Sequence, residues 1–270
     1  LINPPSGFLL DERVFLPLGI ASIASVARER GHTVKLLDLK SDSDYLAEVK
    51  TELSSKRYDA VGITATSPQF YYAYRILHAI KKIGGIKTII GGPHASMFSS
   101  LRKQLIKDNR TSDMDEDVNF RRLEEFDHIA EGEEGSLEMA IVSDEKWVDG
   151  GISERLDSLP LPARDLFNFE DYLYDSQGLP KFRINNKPSG SLISQRGCPY
   201  QCEFCCGRDS KMYHAVKLSG GILRAHSPER ILKELDDMNK MYGLESFMFY
   251  DDEFNLHPQR TIDLCKALSQ

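Results

Sequence analysis

Short apolar runs alternate along the chain with longer stretches whose apolar residues fall at helical spacing. Leu1–Pro5 reads as the exit of a strand, and Pro17-Leu18-Gly19 then opens a helix. In that helix Ile20, Ile23, Ala24 and Ala27 share a face, and Gly31 supplies the stop. Thr33–Leu39, Tyr58–Thr64, Lys87–Gly92 and His128–Gly132 are the next strands, with a helix from about Gln69 to Ile83 behind the third. Strands alternating with helices at this pitch predict βαβ units and a parallel, doubly wound α/β sheet. Ligands on such sheets sit beyond the carboxyl ends of the strands. Residues 100–127 are charged, carry the acidic run Asp113–Asp117, and read as a solvated helix and loop.

From Trp147 to Lys187 no period is clear. Leu159-Pro-Leu-Pro-Ala-Arg-Asp165 and the aromatics Phe167, Phe169, Tyr172 and Tyr174 read as a linker docked on the surface. The pattern resumes with the apolar strand Ser191–Ser194. Ser227-Pro228-Glu229 then starts a helix, with Ser at the N-cap, Pro in the first turn and an acid near the positive end of the dipole. Ile231, Leu235, Met238 and Tyr242 share one face of it, and Gly243 closes it. Glu245–Tyr250 is a strand that delivers Asp251, Asp252 and Glu253 at its carboxyl end, and Pro258–Leu268 is an amphipathic helix. This order predicts two βα units of a barrel, whose chemistry sits at the carboxyl ends of its strands. The expected division is an α/β domain over 1–145, a linker over 146–188, and the first part of a barrel over 189–270. Leu1 stands already at a strand exit and no stop follows the last helix, so the expectation is a piece of a longer polypeptide.

Composition narrows the classes. With 270 residues, 41% hydrophobic and 28% charged, the chain can bury cores for two domains. A net charge of −7 gives no support to a broad nucleic-acid-binding surface, although a small RNA contact or a protein substrate stays open. No apolar run reaches the ~20 residues that span a membrane, and no signal-peptide pattern opens the chain. Clustered thiols without such a signal point to a reducing compartment, the cytoplasm.

The candidate chemistry is concentrated in Ser194–Cys206. Cys198, Cys202 and Cys205 put three thiols on a loop directly after a strand. Three thiolates are one short of a closed tetrahedral zinc site or a four-cysteine iron–sulfur site, so one metal position is left for a ligand that is not protein. A zinc knuckle that recruits Cys206 or His214 is the alternative. A disulfide framework suits the count poorly, because there are five cysteines and four of them crowd between positions 198 and 206. Adjacent Cys205 and Cys206 do not easily ligate one metal together.

The spacing Cys-x3-Cys-x2-Cys, with Phe204 before the last cysteine and Arg196-Gly197 and Pro199-Tyr200 beside the first, resembles the radical S-adenosylmethionine (SAM) superfamily. The resemblance implies a 4Fe–4S cluster on Cys198, Cys202 and Cys205, with SAM chelating the fourth iron. It further implies that an electron, from a donor of the flavodoxin or ferredoxin kind, cleaves SAM to methionine and a 5′-deoxyadenosyl radical. SAM contacts are implied at Phe204 and in the loop Asp251, Asp252 and Glu253, where the family's Gly-Gly-Glu is replaced by Asp-Asp-Glu. Which carboxylate or backbone group of that loop makes the contact is open, and solvated turn carboxylates are the plain alternative.

Leu1–Ile141 is similar to the Rossmann-like cobalamin-binding domain fused ahead of many radical SAM enzymes. The likeness rests on a Pro-Pro…Pro-Leu-Gly opening, a Gly-Gly-Pro-His turn (Gly91–His94) and the turn Glu131–Gly135, in that order. Here the opening is stretched by Ser6–Leu16. On the residues alone these are either tight turns or places where backbone approaches a ligand. The resemblance implies a cobalamin site drawn from Asn3, Pro5, Leu18, Gly19, Thr64, Ser67, Gly91, Gly92, Pro93, His94, Glu131, Gly132 and Glu133. The Asp-x-His-x-x-Gly cobalt motif is absent, so cobalamin is expected with no protein histidine on cobalt, and His94 as a turn or cap residue. The implied function is cobalamin-dependent methyl transfer to a substrate radical, with no catalytic residue assigned beyond the cluster. A degenerate structural domain, a radical SAM enzyme without cobalamin (methylthiotransferase or cyclase) and a non-catalytic cobalamin or metal-binding module stay open. So does the substrate, whether small metabolite, lipid, peptide or RNA.

Overall fold

The computed structural model describes residues 1–175, 177–181, 183–184, 187–198, 200, 202–203, 205 and 224–269. Six parallel strands form the first sheet: β1 (Ile2–Asn3), β2 (Leu37–Asp38), β3 (Ala60–Thr64), β4 (Lys87–Gly91), β5 (His128–Glu131) and β6 (Trp147–Asp149), in the order β2-β1-β3-β4-β5-β6. Helices α1 (Leu18–Glu29), α2 (Tyr45–Ser55), α3 (Phe70–Ile83), α4 (Pro93–Lys107), α5 (Ser112–Glu116), α6 (Val118–Leu123) and α7 (Gly135–Val142) connect them. The doubly wound α/β fold expected from periodicity is therefore present. Its strand order reverses between β1 and β3, the place where such sheets take ligands.

Three sequence expectations need correction. The second strand is shorter than Thr33–Leu39: only Leu37 and Asp38 enter the ladder, opposite Ile2 and Asn3. Residues 100–127 are more than a solvated stretch, because Phe120, Leu123 and Phe126 are buried in the main core with Ile76, Leu77, Ile90 and Ile129. Asp117 caps α6 by accepting from the Asn119 and Phe120 amides (2.7 and 3.1 Å), which turns that apolar edge inward. The sheet also runs past residue 145, since β6 pairs with β5 from Trp147 to Asp149.

The segment read as a surface linker is built into a second core. After the short helix α8 (Glu170–Leu173) come β7 (Arg183–Ile184), β8 (Lys187–Leu192), β9 (Gln195–Arg196), β10 (Arg224–Ala225), α9 (Pro228–Tyr242), β11 (Ser246–Phe249) and α10 (Pro258–Leu268). Phe167, Phe169, Tyr172 and Leu173 pack with Leu18, Ile20 and Ala21 of α1 and with Leu192, Ile231, Met238 and Leu264 of the C-terminal half. Strands β8 and β11 are parallel, Ser189 opposite Ser246 through Leu192 opposite Phe249, with α9 between them in sequence. That is the expected barrel unit. Gly190 packs closely here: a Cβ on it would lie 2.8 Å from Leu244 Cδ1 and 2.9 Å from Met238 Sδ.

Arg164 anchors the linker. It is 2% exposed and donates through Nη2 to the Ser191 carbonyl (2.9 Å) and to Glu234 Oε1 (2.5 Å). Glu234 also accepts from Arg230 Nη1 (3.1 Å), which completes a buried Arg–Glu–Arg group. Replacing the central acid leaves two guanidiniums buried without their shared counter-charge. Glu234→Leu is expected to destabilise the chain by about 3–5 kcal/mol, read as a lower urea midpoint with an unchanged slope.

Candidate functional site

The strand ends that carry the sequence motifs divide into a cleft, a polar lock and an ion-paired junction. Thr64, Gly91 and Gly92 line a cleft together with Leu1, Ile20, Ile23, Gly62, Ile63, Ile89, Ala130, Ser136 and Leu137, between the sheet and helices α1 and α7. Its walls are aliphatic, Thr64 and Ser136 supply hydroxyls, and the glycines keep the floor free of side chains. Gly92 has φ +86°, and a Cβ on it would stand 2.5 Å from Thr64 Oγ1 and 2.9 Å from the Ala65 nitrogen. Gly92 is thus required by the close approach of two strand ends.

His94 lies under this turn. Its backbone nitrogen donates to the Ala65 carbonyl (3.0 Å), Nδ1 meets Ser67 Oγ (3.0 Å), and the ring stacks on Phe70 with centroids 4.1 Å apart. The side chain is 4% exposed, and Nε2 is buried without a hydrogen-bond partner. Burial pushes its pKa down to about 4, with Asp117 offsetting part of the shift. These contacts hold the ring at the start of α4, against Ser67 and Phe70.

Asn3, Asp38, Gln69 and Arg13 form the polar lock at β1 and β2. Asn3 Nδ2 donates to Asp38 Oδ1 (2.7 Å), and Gln69 Nε2 donates to the Pro4 carbonyl (3.0 Å) and Ser6 Oγ (2.9 Å). Arg13, from the Ser6–Leu16 stretch, is buried, pairs with Asp38 through Nε (3.1 Å) and donates to the Asp38 carbonyl (2.7 Å). Tyr172 Oη donates to Asp38 Oδ2 (2.7 Å), and burial, followed by the Asp38 charge, drives the phenol's pKa far up. Pro5 is buried beside this lock, whereas Leu18 joins the second core and Gly19 faces open space. Those last two do not meet the cleft.

At the end of β5 the acids are engaged by cations. Glu131 pairs with Lys103, which also reaches Asp149 (3.7 Å). Gly132, at φ +104°, turns the chain against Gly151, and Pro93 sits exposed at the start of α4. Glu133 takes both arms of Arg224 (2.6 and 2.7 Å), and Glu134 takes Arg196 (2.6 Å). Burial alone would raise the Glu134 carboxyl's pKa, yet Arg196 outweighs it and holds the group below the usual carboxylate range. Sequence reasoning assigned Glu133 to a ligand; the structure places it on two arginines of the cysteine region. Glu134 and Arg196 were visible in quoted motifs, whereas nothing local marked Arg224.

Cys198 and Cys202 are half-buried and Cys205 is exposed, all just beyond β9. The Cys205 amide donates to the Cys202 carbonyl (3.0 Å), so the chain turns back on itself there. Among the described residues, no three metal-binding side chains stand close enough to hold an ion. The donor set nevertheless suits an iron–sulfur cluster: three cysteines within eight residues, at the carboxyl-end side of a barrel strand. Phe204, Cys206 and His214 lie outside the described residues.

The acidic loop after β11 splits in role. Asp251 Oδ1 accepts from the Ser194 and Gln195 amides (2.6 and 3.2 Å), and Oδ2 accepts from the Ser194 hydroxyl. Arg260 Nη2 donates to the Ser194 carbonyl (2.7 Å) and hydroxyl (2.8 Å). Asp251 is therefore a brace for the chain entering the cysteine loop, and sequence reasoning missed both Ser194 and Arg260. Asp252 is exposed and Glu253 half-buried on the same rim.

A cobalamin-type α/β domain set against a cysteine-bearing βα barrel unit defines the class of this protein. The B12 binding domain family matches residues 12–109 and the radical SAM superfamily matches residues 192–270, so the chain carries a B12-binding domain followed by a radical SAM domain. The cofactors that go with these domains are cobalamin, a 4Fe–4S cluster and SAM. The chain is 28% identical to the uncharacterized methyltransferase PH0819 of Pyrococcus horikoshii over 94% of its own length and 52% of that protein. To the anaerobic magnesium-protoporphyrin IX monomethyl ester cyclase of Cereibacter sphaeroides it is 21% identical, over 93% of the chain and 40% of the cyclase. Its fold matches the radical SAM methyltransferase TsrM of Kitasatospora setae, solved with cobalamin and a [4Fe-4S] cluster bound, at a TM-score of 0.60 and 16% identity, over 98% of this chain and 51% of that one. The chain thus spans about half the length of these relatives or less. No described helix is long and apolar enough to cross a membrane.

The depressed His94 pKa has a consequence for stability. The unfolded chain binds a proton at this residue near 6.5 and the folded chain only near 4, so stability is full above 6.5 and is lost as pH falls toward 4. The expected loss across that window is on the order of 3 kcal/mol. It is measured by urea unfolding against pH, and the slope should flatten in His94→Phe.

Proposed function

We propose that this chain is the cofactor-bearing part of a cobalamin-dependent radical SAM methyltransferase. One observation carries the reading: Arg196 and Arg224, which flank the three-cysteine loop in sequence, pair directly with Glu134 and Glu133 beyond β5 of the B12-binding domain, so the two cofactor-bearing regions adjoin. When bound, the cluster and SAM supply a radical generator, and cobalamin supplies a methyl carrier.

Cys198, Cys202 and Cys205 hold the cluster in this reading. The cleft lined by Thr64, Gly91 and Gly92 takes an apolar part of cobalamin, and His94, committed to Ser67 and Phe70, does not serve as a cobalt ligand in this reading. Asp251 braces Ser194, and Glu253, which stands where the family's Gly-Gly-Glu has its acid, is the carboxylate assigned to the SAM ammonium. An external one-electron donor of the flavodoxin or ferredoxin kind and a cytoplasmic, reducing setting go with this chemistry. The substrate class is not assigned.

The test is iron, sulfide, zinc and cobalt per chain after anaerobic reconstitution with cobalamin. About four irons with matching sulfide and one retained cobalt are expected. The triple variant Cys198→Ala, Cys202→Ala, Cys205→Ala should keep cobalt and lose iron. Iron without cobalt removes the methyl-carrier role, and zinc without iron sinks the enzyme reading. Methyl-labelled SAM then separates methyl transfer from cyclase-type chemistry.

A further inference from the structure

Two carboxylates in the cobalamin-type motif Glu131–Gly135 face protein cations. Glu133 accepts a two-armed fork from Arg224 (2.6 and 2.7 Å), and its Oε2 also lies 3.4 Å from Arg196 Nη1. Glu134 Oε1 accepts from Arg196 Nη2 (2.6 Å), and its Oε2 from the Ser153 hydroxyl (3.1 Å). Arg196 and Arg224 stand opposite each other in the antiparallel ribbon β9–β10. Between them in sequence lie residues 197–223, which include Cys198, Cys202 and Cys205. Both ends of the cysteine-bearing segment are therefore held by one pair of acids on the B12-binding domain.

The acids stand on a closely packed base. Glu133 N donates to the Gly151 carbonyl (2.9 Å), and Gly150 N donates to the Glu131 carbonyl (3.0 Å). A Cβ on Gly132 would lie 2.5 Å from the Gly151 oxygen, and one on Gly150 would lie 2.2 Å from Ser136 Cα. A two-armed guanidinium–carboxylate pair fixes direction as well as distance. From this geometry we infer that Glu133 and Glu134 are positioning residues, which set where the cluster-bearing segment stands relative to the B12-binding domain. The inference rests on the reading proposed above and assigns to that site the device that holds its two cofactors in register. Small misplacement of reacting groups is costly, about 100-fold in rate for 1 Å, so such a device has a rate to protect.

The test uses the chain reconstituted with cluster and cobalamin, as wild type, Glu133→Gln, Glu134→Gln, the double variant, and Arg224→Lys. Iron and cobalt content are measured first. The dipolar interaction between Co(II) and the reduced cluster is then read by pulsed electron paramagnetic resonance. The variants are expected to keep both metals, while the cobalt–cluster distance distribution broadens or shifts, most in the double variant. Arg224→Lys keeps the charge without the fork and should fall between wild type and Glu133→Gln. Hydrogen exchange at residues 195–196 and 224–225 should rise in parallel, with 60–64 and 87–91 unchanged. Both metals bound with an unaltered distance distribution in the double variant would overturn the inference alone. Wild type that binds neither metal would overturn the parent reading and this inference with it.

Discussion

Two acids at the end of one strand and two arginines on one ribbon form the contact on which the joint between the halves depends. Glu133 and Glu134 are buried, as is Arg224, and Arg196 is mostly covered. Charges in such a place are tolerated only when paired and hydrogen-bonded in good geometry. Here each acid has its cation, and Ser153 supplies further donors to both: its amide to Glu133 (2.8 Å) and its hydroxyl to Glu134. A buried set of this kind contributes little net stability compared with an apolar isostere. Its value is directional, because the ribbon has one seat in which the Glu133–Arg224 fork and the Glu134–Arg196 bond are both satisfied. A sliding apolar interface would not define such a seat.

A second joint lies at the far edge of the same sheet. The order β2-β1-β3-β4-β5-β6 puts Asp38 near one edge and the Glu133–Glu134 loop near the other. At the Asp38 edge, Arg13 and Tyr172 bring together the Ser6–Leu16 stretch and the chain after the sheet. Phe15 from that stretch meets Tyr250 at the end of β11, edge to face with centroids 5.0 Å apart. The stretch that looked like an interruption of a family motif is thus a bridge to the barrel. With α1 sharing a core with α9 and α10, the two halves are held along a broad front. The carboxyl ends of β1, β3 and β4 lie between the two joints.

What could be read from residues alone follows the range of the forces involved. Strands β3 and β4 and helices α3 and α9 were legible because periodicity and capping are local, and Ser227 does accept from the Arg230 amide as its N-cap position requires (3.2 Å). The cysteine loop was legible because its donors lie within eight residues of one another. The buried status of Arg164 was not, since an arginine in a Pro-rich stretch gives no sign that its partner is Glu234 on a later helix. The Glu133 ion pair was not legible for the same reason: Arg224 stands 91 positions away, and charge complementarity over such a separation has no period to detect. The second strand was overdrawn because apolar residues at Leu36 and Leu39 serve burial without joining the ladder.

The acidic loop after β11 shows how a motif departure can be read once contacts are known. Where the family keeps Gly-Gly-Glu, this chain has Asp-Asp-Glu, and three carboxylates after a strand suggest three ways to meet an ammonium. Asp251 does something else: it accepts from two successive amides and a hydroxyl at Ser194 and Gln195, and Arg260 closes on the same serine from α10. Ser194 is fully buried, so its polar groups need those partners whatever binds nearby. The first acid is thus explained by the demands of the strand exit, and only the later positions of the run remain to serve a ligand. The exit it braces leads into Arg196, and Arg196 is held by Glu134. The chain entering the cysteine loop is therefore gripped from the barrel side by Asp251 and from the B12-binding side by Glu134, within three residues.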